Sequence, residues 1–154
     1  MISLSCGMPG LVFAALLSAL PALSVAQEPV AKLTGIAAVE DGDGLLFGRV
    51  EVRLQGIAAP ELDDPMGAES RAGLMKLAAG RDVVCHLDGT TAGRSGRPVG
   101  VCFVGEVDLG QAQVEAGLAR DRPAFSRKRY LEVELRARSK GHDLSRVYAL
   151  PGYC

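Results

Sequence analysis

Net charge, histidine and long apolar runs are all scarce in this chain, and each scarcity excludes something. The 154 residues carry 17 Lys and Arg against 18 Asp and Glu, a formal charge of −1, so no global field draws it to polyanions. Histidine occurs only twice, as His86 in a strand-like run and His142 in a polar loop. Neither spacing suits a zinc site or a nucleophilic triad. The 19 glycines are scattered among turns, which removes a glycine-rich phosphate cradle. The longest apolar stretch near the N terminus, residues 11–17, is too short for a membrane span. Internal repeats and low-complexity segments are absent.

The N-terminal region instead reads as an export signal. Residues 1–27 contain no charged side chain, residues 11–17 supply the apolar centre, and Ser24-Val25-Ala26 places small residues before a cleavage point at Gln27. Cys6 precedes the apolar run, which argues against a lipoprotein signal. Residues 27–154 are then one mature domain, periplasmic or secreted and free of the membrane after cleavage. Its composition, 48% hydrophobic and 23% charged, is that of an ordinary folded protein. Export implies an oxidising compartment, where Cys85 and Cys102, each in an apolar strand-like run, are expected to pair. Cys154 is left over, free, capped or intermolecular.

Charge is unevenly spread within the near-neutral total. Residues 28–88 hold eleven acids and six bases, whereas residues 120–146 hold nine bases and four acids. Such opposite fields suit a cation site beside a phosphate-attracting surface. Along the chain, residues 32–39 are strand-like and end in the turn Asp41-Gly42-Asp43-Gly44. A hairpin follows over 45–47 and 50–55, the second strand alternating Val50, Val52 and Leu54 against Glu51, Arg53 and Gln55. Residues 67–79 change to helical period, with Ala68, Ala72, Met75 and Ala79 in step. Residues 83–87 and 99–104 are two more strands joined by a long polar loop. Asp108 caps a helix over 109–116, and a third helix is expected over 126–140 with Tyr130, Val133 and Ala137 inward. Three strands, helix, two strands and two helices fit an α+β fold, a five-stranded OB-type barrel with about three helices packed on it.

The motifs Asp41-Gly42-Asp43-Gly44, Arg53-Leu54-Gln55-Gly56-Ile57-Ala58-Ala59-Pro60-Glu61, Gly96-Arg97 and Gly117-Leu118-Ala119 resemble, in order and spacing, the staphylococcal nuclease (thermonuclease) family. The resemblance implies an OB barrel and calcium-dependent hydrolysis of phosphodiester bonds in DNA or RNA, leaving a 3′-phosphate and a 5′-hydroxyl. By residue match, Asp43 is implied as a metal ligand, Glu61 as the general base, and Arg53 and Arg97 as phosphate clamps. These types suit the chemistry: attack of water on an anionic diester needs a base and concentrated positive charge, and guanidinium donates two hydrogen bonds to phosphate at once. The implied protein is a monomer acting on nucleic acid.

The departures are as informative. The second metal-binding Asp of the family pattern is here Ala58, so calcium binding is expected to be weakened, or another divalent metal used. Gly44 stands where Thr is usual, Ser95 where Tyr precedes Gly-Arg, and Pro123 and Phe125 fall near the tyrosines expected after Gly-Leu-Ala, which depletes nucleotide stacking. In similar small exported proteins a second cysteine often stands where this chain has Arg122, which accounts for the unpaired Cys154. A catalytically impaired OB module that binds nucleic acid, or another anionic or protein partner, is the alternative these losses favour. The arginine-rich stretch of Arg127, Lys128, Arg129, Arg136 and Arg138 suits a polyanion in either case.

Overall fold

A computed structural model of the chain describes residues 31–152. The expected signal segment and Cys154 lie outside the described residues. Alternating apolar and polar side chains drive a curled sheet with the order β1-β6-β7-β4-β3-β2. Its strands are β1 (Lys32–Ile36), β2 (Ala38–Val39), β3 (Gly44–Phe47), β4 (Val50–Leu54), β6 (Asp82–Ala92) and β7 (Arg97–Val104). Only Ala37 separates β1 from β2, yet they lie at opposite ends of that order. The sheet must therefore curl until its ends meet in one bent strand. Taking β1 and β2 as that one strand leaves the five strands of the expected OB barrel. Two short pairings complete the β structure of the described residues: β8 (Val107–Asp108) pairs antiparallel with the end of β7, and β5 (Ile57–Ala58) pairs with β9 (Arg120–Asp121).

On β4 the alternation holds from Glu51 onward: Val52 and Leu54 are buried, while Glu51 and Arg53 are only partly covered on the opposite face, and Val50 at the strand's start is exposed. The core gathers these residues with Leu45, Val83, Cys85 and Cys102 from the sheet. Leu74 comes from α1 (Gly67–Ala78), Leu109 and Val114 from α2 (Leu109–Glu115), and Val133 from α4 (Leu131–Ser139). Full burial of each large aliphatic side chain contributes about 2 kcal/mol. Cys85 and Cys102 face each other in register on β6 and β7 and are joined, 17 residues apart in sequence. A cross-link of that span contributes about 3 kcal/mol.

Three local differences from the sequence reading follow from packing. First, the polar stretch between the fourth and fifth barrel strands is no long loop. The β6–β7 hairpin continues to Ala92 and resumes at Arg97, passing a register shift between Leu87 and Thr91. Gly93 and Gly96, with φ of 68° and 67°, make the tight turn, so Arg97 starts a strand. Second, the helix expected over 126–140 starts only at Leu131, as α4, because Arg127 and Lys128 take positive φ; a short α3 (Pro123–Ser126) precedes that break. Tyr130, Val133 and Ala137 are nevertheless buried as expected. Third, α1 buries Gly67, Ser70, Leu74 and Ala78, while Ala68, Ala72, Met75 and Ala79 are exposed, because Ser70 rather than an alanine meets the Asp41–Gly44 turn.

Candidate active site

Sheet register sets the arrangement. β4 and β7 run parallel with Arg53 opposite Val99, so Glu51 and Arg97, each two residues earlier, lie level on the same outward face. Their side chains form an ion pair, and that hydrogen bond to Glu51 holds the Arg97 guanidinium even more firmly protonated than usual. Asp41 and Asp43 add to its field. Antiparallel pairing of β3 with β4 sets Gly44 opposite Arg53, which brings the Asp43 turn against the same strand. Arg53 Nη2 lies 2.7 Å from Asp43 Oδ2.

Asp43 is 2% exposed. Its Oδ2 also accepts a 2.7 Å hydrogen bond from the Ala59 amide, and Asp43 N donates to Asp41 Oδ1 at 3.0 Å. Burial pushes its pKa up to about 7, against the pull of Arg53 and the Ala59 amide and with the help of Asp41 and Glu61. The turn is braced from below by a residue that the sequence reading did not single out. Gln113 of α2, fully buried, donates from Nε2 to Gly42 O at 2.8 Å and Ser70 O at 2.9 Å. A Cβ on Gly42 would collide with Ser70 Oγ, which is why glycine stands between the two aspartates.

Glu61 sits exposed in the loop after β5, its amide donating to Asp64 Oδ2 at 3.2 Å. The start of α1 packs on this loop so closely that a Cβ on Gly67 would run into the Glu61 carbonyl oxygen. Glu61 acts electrostatically on Asp43 without bonding to it. The expected residues thus share one neighbourhood: Asp43 and Arg53 in contact, Arg97 on the adjoining strand, Glu61 on the facing loop. Each arginine has a carboxylate partner, Arg97 through Glu51, a residue whose place two positions before Arg53 on the polar side of β4 was the one available signal. Nε of both Arg53 and Arg97 is buried and lacks a hydrogen-bond partner among the described residues.

Beyond Arg53 the surface opens into a cleft of about 760 Å³. Gln55, Thr91, Val99, Arg122, Phe125 and Arg127 are among its walls. Phe125 is half exposed, with the Arg122 guanidinium 4.3 Å from its ring centroid, and Gln55 Nε2 donates to its carbonyl at 2.6 Å. Arg53 therefore links the two charged regions: it bonds to the acidic turn and lines the same cleft as Arg122, Arg127 and Arg129 of the basic segment.

The donor set does not fit a calcium ion. Calcium takes six to eight oxygens, and among the described residues no three His, Cys, Asp or Glu side chains converge on one point. Asp43 Oδ2 is committed to Arg53 and Ala59. The methyl group of Ala58 is 1% exposed and packs under Leu144 and Tyr148, so this side chain brings no carboxylate to the place.

Residues 51–144 match the family described as staphylococcal nuclease homologue. A probable staphylococcal-like nuclease of Oryza sativa subsp. japonica is 34% identical over 108 residues, covering 64% of this chain and 27% of that protein. The chain thus spans about a quarter of the length of that relative.

Proposed function

Because the chain belongs to the staphylococcal nuclease homologue family, we propose that it is an exported phosphodiesterase that cuts DNA or RNA by water attack at phosphorus. The observation that carries this reading is the meeting of Arg53 and the exposed Glu61 around one buried acidic turn, beside a cleft of about 760 Å³. Arg53 and Arg97 hold the phosphate oxygens and stabilise the charge that builds on them. Their ion pairs with Asp43 and Glu51 fix where the guanidinium groups point. Glu61, solvated and unpaired with any arginine in the site, takes the proton from the attacking water. The bond from phosphorus to the 5′-oxygen breaks, that oxygen takes up a proton, and a 3′-phosphate remains. The strand itself lies along the cleft, against Phe125 and the arginines on its rim. A divalent cation, calcium in the pattern of the resemblance, is held weakly at most, and the chemistry above rests on the chain's own residues.

The test is cleavage of single-stranded DNA by the purified mature protein, with chelator or with calcium, magnesium or manganese added, beside Glu61→Gln. The expected result is measurable cutting that falls at least about a hundredfold in Glu61→Gln with oligonucleotide affinity retained. Equal rates in both proteins would remove Glu61 from the mechanism. Binding without cutting by the wild type would establish the alternative, a module that holds nucleic acid without turnover.

A further inference from the structure

Tyr148 reaches the site from a tail in which no periodicity marks a role. After α4 the chain makes a 3-10 turn, Leu144–Arg146, capped by Asp143, whose side chain accepts from Ser145 N at 3.2 Å. Tyr148 N then donates to Leu144 O at 2.9 Å, and Tyr148 O accepts from Arg120 Nη1 at 3.1 Å. Held at both backbone groups, Tyr148 packs with Leu144 on Ala58, with Met66 and Leu150 at the edge. This cluster covers the flank of the site where the resemblance leads one to expect a second aspartate. The charges that act on the phenol from that place are those of Asp43, Glu61, Arg53 and Asp64.

We propose that Tyr148 is a substrate-contacting residue of this site, its hydroxyl donating a hydrogen bond to a phosphate oxygen that Arg53 grips. The inference rests on the phosphodiesterase reading. Tyr148 packs on Ala58, whose neighbour Ala59 donates to the same Asp43 carboxylate that Arg53 holds, so a phosphate gripped by Arg53 comes to rest beside this ring. A tyrosine suits the position because its ring seals the apolar flank over Ala58 while its hydroxyl remains a neutral donor. Burial, then Asp43 and Glu61, push its pKa up to about 12, so the proton stays available throughout the working range. Where the family pattern has a carboxylate, this chain presents a methyl roofed by a donor, a change of sign toward an anionic substrate.

The experiment compares wild type with Tyr148→Phe and Tyr148→Ala in the mature chain, reading kcat and KM for a single-stranded oligonucleotide, its Kd, and the thermal midpoint. Tyr148→Phe keeps the ring on Ala58, so its midpoint should match wild type while kcat falls about tenfold and KM moves less than twofold. Tyr148→Ala should lose the same rate and several degrees besides. A Tyr148→Phe protein that cuts as fast as wild type overturns the role of the hydroxyl and leaves the phosphodiesterase reading standing. A wild type that neither cuts nor binds the oligonucleotide overturns that reading, and the inference with it.

Discussion

The two flanks of Arg53 are built from opposite materials. On one side its Nη2 meets Asp43, 2% exposed, in a wall closed by Ala58, Leu144 and Tyr148. On the other it lines an open cleft with Gln55, Arg122 and half-exposed Phe125. The same guanidinium therefore works in two dielectric settings. On the dry flank burial itself raises a carboxylate's pKa, against the pull of a neighbouring guanidinium, as Asp43 shows, whereas charges on the wet flank are screened by water and salt. Position and protonation are decided on the covered side, and attraction of a polyanion on the open one. Changes on the dry flank should accordingly be large and insensitive to salt, and changes on the wet flank small and sensitive to it.

The largest effect is expected from Ala58→Asp. Judged by motif alone, restoring the carboxylate should restore calcium binding. In the folded chain that carboxylate would lie beneath Leu144 and Tyr148 at a position 1% exposed, with Asp43 close by and Arg53 already engaged. An uncompensated carboxylate so placed costs about 3 kcal/mol or more. Ala58→Asp should therefore lower the thermal midpoint by many degrees in chelator, and loosen the tail. A variant as stable as wild type that cuts faster with calcium would show that the tail yields readily and that the covered flank is a lid over a metal site.

Next in size is the pH dependence that Asp43 imposes on stability. An ordinary aspartate titrates near pH 3.9 in an unfolded chain, whereas the folded chain holds this proton up to about 7. Between those values the folded state binds more protons than the unfolded one, so this group's contribution to stability falls as pH rises through the window, then levels off above about 7. Asp43→Asn cannot titrate. In chelator, midpoints measured from pH 4.5 to 8 should show the wild type losing ground to Asp43→Asn as pH rises. A gap between the two proteins that stays constant with pH would mean that Arg53 holds Asp43 ionised throughout, and that the flank is less dry than its burial suggests.

The same contrast separates what the sequence disclosed from what it hid. Arg53 could be placed because β4 alternates with period two, and Val52 and Leu54 inside force Arg53 outside. Cys85 and Cys102 could be paired because two apolar runs in an exported chain imply neighbouring strands, and the register sets them opposite each other. The motif order carried the fold and the neighbourhood of Asp43, Arg53, Arg97 and Glu61. Periodicity has no purchase on a contact made once. Gln113 reaches Gly42 across 71 residues of sequence, and Tyr148 reaches Ala58 from a segment with no repeat at all. The β6–β7 hairpin is longer than its composition suggests, because polar, glycine-containing strand ends look like loop although backbone pairing needs no apolar side chain. The late start of α4 is equally hidden, since positive φ at Arg127 and Lys128 leaves no mark on composition.

The smallest expected effect belongs to the wet flank and tests whether the loss of tyrosines after Gly117-Leu118-Ala119 is a loss of stacking. Phe125 lies in the cleft wall, half exposed, with the Arg122 guanidinium 4.3 Å from its ring centroid and its backbone carbonyl tied to Gln55. An aromatic face so placed can take a base, and stacking of this kind contributes about 1 kcal/mol or a little more per base. Phe125→Ala should weaken binding of a single-stranded oligonucleotide about fivefold, with the salt dependence unchanged because no charge is lost. Arg127→Ala, on the rim of the same cleft, should do the reverse: a mild loss at low salt and a shallower slope of affinity against salt, by about 0.7 for one phosphate contact. If Phe125→Ala changes the slope, or Arg127→Ala leaves it untouched, the strand does not run along this cleft, and the open flank of Arg53 is a solvated surface.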